Sequence, residues 1–342
     1  MELLYEAHEQ EGLLLNANES ARNADPVILE ELMTRIQQAA LNRYPDDTAK
    51  ELIEAFASLH HLDPNGVFVG NGSDAMLQLM IHAFCRDGKK LVMLDPDFGM
   101  YRFYSTCMQS NHADFPTAWD GSFDLDAFVQ FAKEQNAGLV LLSNPNNPTG
   151  HLLSKEQMLD LAQKLDPIIL AADEAYMDFA SQSVLEHAQK VPNLIVTRTL
   201  SKAWGLVGIR VGFLVSSLEI AKLLAPYRIV YSVSTLDQLA AIAALHHAEV
   251  AAANMEEIQS EKERIASRLT KMPWIEWAPI HVNFYSIKTD DMEELEQAFA
   301  DNQIAIRDNP DHSRIRITIG TPEQNDQVLE ILEAWNPENW ND

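Results

Sequence analysis

Short uninterrupted runs of apolar residues recur through the first two thirds of the chain, and helical stretches separate most of them. Strands that are buried on both faces have such continuous apolar sequences, whereas half-exposed strands alternate with polar residues. The alternation of these runs with helices therefore predicts an α/β fold with a mostly parallel sheet covered on both faces. We expect strands at residues 67–69, 91–94, 139–142, 168–171, 194–196 and 211–215.

Apolar residues at helical spacing predict the helices that accompany this sheet. Two helices are expected before it, at residues 27–39 and 48–59, and a third at 75–84. From residue 235 a long alanine-rich helical pattern continues past residue 255 towards 269, which is typical of an element that bridges two domains. Beyond it we expect strands at residues 281–287, 304–307 and 314–319, and helices at 292–300 and 322–334.

These patterns divide the chain into three parts. Residues 1–29 form a turn-rich N-terminal segment, and residues 30–233 form the large α/β domain. Residues 234–342 lack the parallel rhythm and are expected to form a smaller α+β domain that begins with the bridging helix. A chain of 342 residues is long for one compact core, so a large domain with a smaller companion is the natural arrangement.

Composition narrows the possible partners. The chain has 25 Lys and Arg against 51 Asp and Glu, a net charge of −26, and 46% apolar residues. Nucleic acids and anionic membranes need clustered basic residues, so neither is expected as a partner. The two cysteines, Cys85 and Cys107, belong to no Cys-x-x-Cys pair, and no metal site is expected. Without a basic, apolar leader or a spanning stretch of roughly 20 apolar residues, the protein is expected to be cytoplasmic.

Polar residues directly follow several of the predicted strands, where open α/β sheets bind their ligands. Gly72, Ser73 and Asp74 open a helix whose amide groups can hold an anion, although an ordinary helix cap has the same sequence. Residues 95–101 place aromatic rings after a strand, where they stack on a planar cofactor or fill the core. Residues 143–150 contain two prolines that fix the backbone of an asparagine-rich loop.

Asp173 and Lys202 are the most reactive side chains at these positions. The Asp173 carboxylate follows a buried strand and needs a partner, because an unpaired buried charge is costly; capping of the next helix is its alternative role. Lys202 is flanked by hydroxyl residues and followed eight residues later by Arg210. A desolvated lysine near cationic groups attacks aldehydes, and an arginine beside hydroxyls holds a phosphate.

Together these groups match the chemistry of one cofactor, pyridoxal 5′-phosphate. Lys202 suits its aldehyde, and Asp173 suits its protonated ring nitrogen. Arg210 and the neighbouring hydroxyls suit its phosphate, and Phe98 can stack on its flat ring. The sequence therefore predicts a site for pyridoxal 5′-phosphate at the carboxyl edge of the sheet.

Motifs along nearly the whole chain resemble those of fold-type I aminotransferases that depend on pyridoxal phosphate, and among them the histidinol-phosphate aminotransferase group. They follow the family's order, at residues 15–19, 42–45, 98–101, 144–150, 172–176, 198–203 and 316–321. The resemblance implies a mostly parallel sheet of seven strands, an N-terminal segment that packs with the small domain, and a homodimer with shared active sites. It also implies an amino acid or amino-alcohol phosphate and a 2-oxo acid as substrates.

The resemblance further implies roles for individual residues. Lys202 is the lysine that binds the cofactor and carries the proton of the substrate's α-carbon, and Asp173 keeps the ring nitrogen protonated. Asn147 and Tyr176 hold the phenolic oxygen, and Phe98 stacks on the ring. The residues that hold the phosphate are Ser73, Asp74, Thr199, Ser201, Arg210 and Tyr44 of the partner subunit.

Substrate recognition is implied at Arg316, which corresponds to the arginine that clamps the substrate's α-carboxylate or its equivalent, with Asn147 and Asn18 beside it. The chain departs from the family where Arg22 replaces a tyrosine that lies close to the substrate. Arg22 therefore either meets an anionic substrate group or is merely exposed. Tyr231 either lines the substrate pocket or packs at an interface.

The preferred hypothesis is an aminotransferase that uses L-histidinol phosphate and 2-oxoglutarate. An aminotransferase for aromatic amino acids is the nearest alternative, and a decarboxylase for a phosphorylated amino acid is a further one. A binding or regulatory protein that retains the cofactor is the alternative outside enzymes. The intact set of Lys202, Asp173 and Arg316 disfavours it, because a degenerate binder is expected to have lost at least one of the three.

Overall fold

The computed structural model describes residues 11–289, 292–309 and 313–335. The strands, in chain order, are β1 (Leu13–Leu14), β2 (Val67–Asn71), β3 (Lys90–Asp95), β4 (His112–Pro116), β5 (Ala137–Ser143), β6 (Ile169–Asp173), β7 (Leu194–Thr199), β8 (Val211–Ser216), β9 (Glu276–Trp277), β10 (Phe284–Lys288), β11 (Ile304–Ala305), β12 (Arg307–Asn309) and β13 (Arg314–Thr318). The α-helices are α1 (Pro26–Ile36), α2 (Lys50–Leu59), α3 (Gly72–Phe84), α4 (Met100–Cys107), α5 (Leu125–Glu134), α6 (Lys155–Leu165), α7 (Leu218–Leu224), α8 (Thr235–His246), α9 (Ala248–Leu269), α10 (Met292–Asp301) and α11 (Pro322–Ala334).

The large sheet has seven strands in the order β2-β8-β7-β6-β5-β3-β4. Its pairs are parallel from β7 across to β4, while β8 runs antiparallel to both β7 and β2. The prediction of an α/β fold with a mostly parallel sheet is therefore confirmed. In register, Asp173 at the end of β6 lies between Ser143 of β5 and Thr197 of β7, so the carboxyl ends of three strands meet at one edge.

Successive residues of the central strands enter two different cores, one on each face of this sheet. Val140 and Leu142 of β5 pack with helices on one side, whereas Leu139 and Leu141 pack on the other. All four side chains are at most 1% exposed. Helices on both faces thus explain why the strands are continuous apolar runs rather than alternating ones.

Several predicted boundaries need correction. The helix predicted to end at residue 39 ends at Ile36, and the amides of Gln38 and Ala39 continue it only as tight turns that bond three residues back. Strand β4 was not predicted, because an edge strand with the sequence His-Ala-Asp-Phe-Pro lacks an apolar run. The single strand expected at 304–307 consists of β11 and β12, which belong to different sheets.

The bridging helix predicted from residue 235 to 269 is two helices, because the chain leaves helical geometry at His247, where φ is −113° and ψ is 47°. Nδ1 of His246 lies 2.8 Å from Oε1 of Glu31, and Nε2 of His247 lies 3.0 Å from Oε2 of the same carboxylate. Consecutive residues of a helix project about 100° apart. A break in the helix lets both imidazoles reach one carboxylate.

The small sheet is antiparallel, with the order β12-β13-β10-β9. Tyr285, Ile287, Ile315 and Ile317 on one of its faces are buried in a separate apolar core that also includes residues of α9 and α11. A third, two-stranded sheet joins β1 to β11 in parallel, with Leu13 opposite Ile304. The N-terminal segment is therefore attached to the last third of the chain by backbone pairing.

The two larger sheets have separate cores, and α8 packs in the core of the large sheet. The domain boundaries at residues 29 and 233 stay a prediction. Nowhere in the described ranges does a helix combine the length and apolarity needed to cross a bilayer. Within the same ranges, His, Cys, Asp and Glu side chains form no cluster of three or more suited to a metal ion.

Candidate active site

Asp173 is a buried carboxylate at the centre of the carboxyl edge. Its side chain is 3% exposed. Oδ2 accepts a hydrogen bond from the Tyr101 hydroxyl at 2.8 Å, and Oδ1 accepts one from Thr197 Oγ1 at 2.9 Å. Burial raises the pKa of the Asp173 carboxyl, although both hydroxyl donors act against this shift. A cationic partner at this position would offset the cost of burying the charge.

Lys202 lies just beyond the end of β7, in the loop that leads to β8. Its Nζ donates a hydrogen bond to the carbonyl of Ala17 at 3.0 Å and lies 5.9 Å from the centre of the Tyr176 ring. The amine therefore meets both the N-terminal segment and the loop after β6. The N-terminal segment, the loop after β6 and the loop after β7 were all predicted to contribute to one site. They meet at the Lys202 side chain.

An anion cradle lies beside Lys202, at the first turn of α3. Arg210 donates from Nη2 to Asp74 at 2.8 Å and from Nη1 to Ser201 Oγ at 3.4 Å. Thr199 Oγ1 donates to Ser201 Oγ at 3.0 Å. A helix N-terminus presents unpaired amides to an anion, and the guanidinium and hydroxyls add further donors.

Gly212 allows this cradle to close. A Cβ at this position would lie 2.2 Å from the backbone nitrogen of Ser73, so only glycine fits between β8 and the start of α3. Gly72 has φ +72°, in the left-handed region that favours glycine, and its amide donates to the Arg210 carbonyl at 2.7 Å. Two glycines thus fix the distance between Arg210 and the helix N-terminus.

Aromatic and acidic residues after β3 form another wall of the site. The Phe98 ring meets the Tyr101 ring edge to face at 5.5 Å, and Tyr101 is completely buried. Tyr101 was not predicted as a partner of Asp173, although its place three residues after Phe98, on one face of a helical turn, was a usable indication. Asp97 accepts a hydrogen bond from Ser143 Oγ, and burial raises the pKa of Asp97 to about 8.

The N-terminal segment contributes Asn18, which is 1% exposed and has φ +54°. Its Nδ2 donates to the Tyr176 hydroxyl at 2.9 Å. Its backbone nitrogen donates to Thr318 Oγ1 at 2.9 Å, and its carbonyl accepts from Asn283 Nδ2 at 3.1 Å. Asn18 therefore connects the loop after β6 to the small sheet.

Arg316 reaches the site from β13. Its Nη1 donates to Asn147 Oδ1 at 2.6 Å, and its Nη2 donates to the Asn16 carbonyl at 2.6 Å. In the sheet register Arg307 of β12 lies directly opposite Arg316, so the two side chains share one face. Arg307 was not predicted as a site residue, because the strand pairing that places it there cannot be deduced from its own neighbours.

Arg22 lies at the rim of a small cavity whose lining also includes Lys202 and Thr321. It is exposed and forms a two-pronged ion pair with Glu257, at 2.6 and 3.0 Å. The hydrogen bond from Arg22 to Glu257 raises the pKa of the guanidinium. Arg22 was predicted either to meet an anionic substrate group or to be merely exposed. Its side chain is exposed, and its ion pair with Glu257 was not predicted.

Tyr44 and Tyr231 lie apart from these residues. Their rings stack on each other at 4.8 Å, with 25° between the planes, and Tyr44 is 82% exposed. Among the described residues, no hydrogen bond or ring contact joins either tyrosine to Lys202 or Asp173. Their roles at the cofactor and the substrate stay predictions.

Comparison with known proteins identifies the family. A family model described as aminotransferase class I and II matches residues 10–332 of the chain. This chain belongs to that family. The aminotransferase is 32% identical over 322 residues to histidinol-phosphate aminotransferase of Thermoanaerobacter pseudethanolicus, covering 93% of this chain and 91% of the relative. It is also 32% identical over 320 residues to histidinol-phosphate aminotransferase of Thermococcus gammatolerans, with coverage of 93% and 90%.

Solved structures agree with the fold of the aminotransferase. Histidinol-phosphate aminotransferase from Sinorhizobium meliloti in complex with pyridoxal-5′-phosphate superposes with a TM-score of 0.84 at 25% identity, covering 96% of this chain and 90% of the other. L-threonine-O-3-phosphate decarboxylase from Porphyromonas gingivalis has a TM-score of 0.81 at 22% identity, covering 94% and 99%. The second likeness supports the fold alone.

The residues of the aminotransferase fit pyridoxal phosphate on their own chemistry. Asp173 supplies a buried carboxylate for a protonated ring nitrogen, and Lys202 supplies an amine at the same edge. The close approach at Gly212 brings Arg210 within hydrogen-bond distance of the first turn of α3, where its guanidinium and the helix amides can hold a small anion. These three features offer partners for the ring nitrogen, the aldehyde and the phosphate of the cofactor.

Proposed function

We propose that this aminotransferase transfers the amino group of L-histidinol phosphate to 2-oxoglutarate, giving imidazole acetol phosphate and glutamate. The observation that carries the proposal is the pair of arginines, Arg316 and Arg307, opposite each other on one face of the small sheet. One guanidinium is enough for a carboxylate, whereas two suit the higher charge of a phosphate. The curated relatives of the same name support this choice.

We assign the cofactor as pyridoxal 5′-phosphate, which when bound supplies an aldehyde for the amino group and a ring that stabilises the electron pair of a deprotonated α-carbon. Lys202 Nζ holds the aldehyde end and, once the substrate amine takes its place, carries the proton of the α-carbon. Asp173 holds the ring nitrogen in its protonated form. Tyr176 and Asn147 hold the phenolic oxygen, and Phe98 covers the ring.

The phosphate end of the cofactor is assigned to the cradle at α3. Its donors are the backbone amides of Ser73 and Asp74, the hydroxyls of Thr199 and Ser201, and Arg210. Tyr44 of the partner subunit completes this set in the homodimer that we propose. The exposure of the Tyr44 ring, at 82%, supports a role outside its own subunit. We further propose that the protein acts in the cytoplasm.

Substrate binding is assigned to the small sheet and the N-terminal segment. Arg316 and Arg307 bind the phosphate of the amino donor, and Asn147 orients the Arg316 guanidinium through the bond at 2.6 Å. Asn18 and Thr318 are both at most 2% exposed, so their contact excludes water from the side of Tyr176. Arg316 is partly buried, so its charged interactions are stronger than those of the exposed Arg307.

Kinetics with a panel of amino donors test this proposal. The purified protein, loaded with pyridoxal phosphate, is assayed with histidinol phosphate, phenylalanine, tyrosine and histidine, with 2-oxoglutarate as acceptor. We expect kcat/KM for histidinol phosphate to exceed that for each amino acid by about 100-fold or more, because a phosphate can pair with both guanidinium groups whereas a carboxylate needs only one. A preference for an aromatic amino acid would refute the substrate assignment.

Borohydride reduction separates the cofactor assignment from the substrate assignment. Reduction of the loaded protein is expected to attach the cofactor irreversibly to the peptide that contains Lys202, as detected by mass spectrometry. Lys202→Ala is the matched control and is expected to give no labelled peptide. Labelling at another lysine would contradict the role of Lys202 whatever the substrate is.

A further inference from the structure

One face of the small sheet is turned towards the loops that follow the large sheet's strands. Arg314 and Arg316 lie two residues apart in β13 and therefore project from the same face. Ser286 of β10 lies opposite Arg316 and donates from Oγ to the carbonyl of Pro148 at 2.5 Å. The residue before Pro148 is Asn147, which accepts from Arg316. Arg314, Arg316 and Ser286 therefore lie on one face of the small sheet, which we call the docking face. Arg316 makes one of its several contacts with the loops of the large sheet.

Trp119, in the loop after β4, makes the contacts at the other end of this face. Its indole Nε1 donates to the Ser313 carbonyl at 3.2 Å, and its own carbonyl accepts a hydrogen bond from Arg314 Nη2. The Arg314 guanidinium carbon lies 4.6 Å from the centre of the Trp119 ring. Lys288 Nζ also approaches the ring, at 5.9 Å. One indole therefore contacts two strands of the small sheet.

Arg314 is an unusual residue for a merely structural contact. It is 0% exposed, and its Nε and Nη1 have no hydrogen-bond partner among the described residues. Burial lowers the pKa of its guanidinium to about 10. A buried charge needs compensation, and the face of an indole ring supplies it by cation–π attraction. The Trp119 ring and carbonyl contact the Arg314 guanidinium directly, and the carboxylates of Asp120 and Glu276 also favour its charged form.

The Trp119 loop is packed against the loop that holds Asn147. Gly121 has φ +85°, and a Cβ there would lie 2.2 Å from Thr149 Oγ1. Thr149 Oγ1 donates to Asn146 Oδ1 at 2.7 Å. The backbone of the Trp119 loop at Gly121 therefore packs directly on the Thr149 side chain, and we expect a displacement of one loop to be transmitted to the other.

We propose that Trp119 and Arg314 are a positioning pair, which fixes the place where Arg316 meets the anionic group of the substrate. The inference rests on the proposed function, since it assumes that Arg316 binds that group. Arg314 attaches β13 to the Trp119 loop. Two residues further along the same strand, Arg316 donates a hydrogen bond to Asn147. With the strand attached at both points, the Arg316 guanidinium stays at one distance from Lys202.

Titration calorimetry with inorganic phosphate tests the pair. The protein is loaded with pyridoxal phosphate, so that the cofactor's own phosphate site is filled. We expect Trp119→Leu and Arg314→Met each to weaken phosphate binding about tenfold, from the loss of a desolvated cation–π contact. KM for histidinol phosphate should rise by the same factor, whereas kcat and the affinity for pyridoxal phosphate should change less than about threefold.

Lys288→Met is the matched control, because Lys288 approaches the same ring but is partly exposed and also pairs with Glu276. It should change phosphate affinity less than about twofold, since exposed pairs contribute little. Trp119→Phe keeps an aromatic face and should lie between wild type and Trp119→Leu. Should the larger substitutions fail to fold, this variant and the control decide the question.

The proposal is overturned if Trp119→Leu and Arg314→Met leave phosphate affinity unchanged, or if they weaken phosphate and pyridoxal phosphate equally, as general loosening would. Failure of the proposed function has a different outcome. A wild-type protein that accepts other amino donors but not histidinol phosphate would refute the substrate alone. The titration would then use a carboxylate analogue of the accepted donor, and the same ranking of variants is expected.

Discussion

Two groups of residues meet at Lys202, and they are built in different ways. The group assigned to the cofactor comes from adjacent strand ends of one sheet, where Asp173 and Thr197 are neighbours in register. The group assigned to the substrate joins Asn16 to Arg316, which are 300 residues apart in sequence. The first group is positioned by the sheet itself, whereas the second depends on how the small sheet and the N-terminal segment dock.

This difference indicates whether substitutions in each group should change the reaction with all donors or only the affinity for the donor. Substitutions at the sheet edge act on a rigid framework and should affect the reaction with every donor. Substitutions on the docking face should alter affinity for the donor and leave the cofactor undisturbed. Two experiments test the separation and a third tests the protonation of Asp97 in the wall of the site, in order of decreasing expected effect.

Asp173→Asn should have the largest effect. Losing the charge of a buried pair costs about 3–5 kcal/mol, so we expect kcat to fall by at least about 100-fold and cofactor affinity to fall with it. Binding of inorganic phosphate at the docking face should stay within about twofold. The measurements are steady-state kinetics, spectroscopic titration with pyridoxal phosphate, and calorimetry with phosphate.

The matched control is Thr197→Val, which removes one hydroxyl donor to Asp173 and keeps the charge. A lost hydrogen bond of this kind costs about 1–3 kcal/mol, so its effect should be clearly smaller. If Asp173→Asn weakened the cofactor and phosphate equally, the two groups of residues would not be separable.

Arg307→Gln should have an intermediate effect, confined to donors with a phosphate. A charged hydrogen bond contributes about 1.5–3 kcal/mol, so kcat/KM for histidinol phosphate should fall about 10- to 100-fold. The value for phenylalanine should change little. Arg22→Gln is the control, because Arg22 already pairs with Glu257, and it should change both values less than about threefold. A larger effect at Arg22 would assign the phosphate to Arg22 instead.

Asp97 gives the smallest effect, on stability against pH. Its folded-state pKa of about 8 lies above the usual value of about 3.9 for an unfolded Asp. Between these values the unfolded chain has lost the proton that the folded chain keeps, so stability should fall as pH rises from about 4 to 8. Asp97→Asn should flatten this slope and raise stability at pH 8 by about 1–2 kcal/mol, because the amide has no charged form that burial disfavours.

Denaturant unfolding of the cofactor-free protein at pH 5 and pH 8 measures this change. Asp95→Asn is a suitable comparison, because Asp95 is the last residue of β3, two positions before Asp97, and pairs with Arg102 at 3.5 Å on the surface. A steeper pH dependence in Asp97→Asn than in wild type would show that Asp97 is ionised in the folded protein.

The sequence was more informative about the cofactor group than about the substrate group. Asp173, Thr199 and Lys202 directly follow apolar runs, and the ends of parallel strands lie together in any open α/β sheet. That these residues lie near one another therefore follows from the local sequence pattern and from the general arrangement of open α/β sheets. Even there, Tyr101 was missed, since its hydrogen bond to Asp173 joins residues that are 72 positions apart in the sequence.

Features that depend on long-range pairing were predicted less well. Arg307 lies opposite Arg316 only because β12 and β13 pair in one register, which neither strand's sequence determines. The Arg22 to Glu257 pair and the Trp119 to Arg314 contact arise where separate parts of the chain dock. The break at His247 escaped notice for a similar reason, because alanine-rich helical spacing continues on both sides of it.

The pairing of β1 with β11 can form only late in the synthesis of the chain. Leu13 is translated early but has no strand to pair with until Ile304 leaves the ribosome. Every residue of the Asp173 edge is translated before then, since β8 ends at Ser216. A nascent chain thus contains all the side chains assigned to the cofactor well before it contains Arg307 or Arg316. Premature termination between these points would give a chain that carries Lys202 but lacks the arginines that we assign to donor binding.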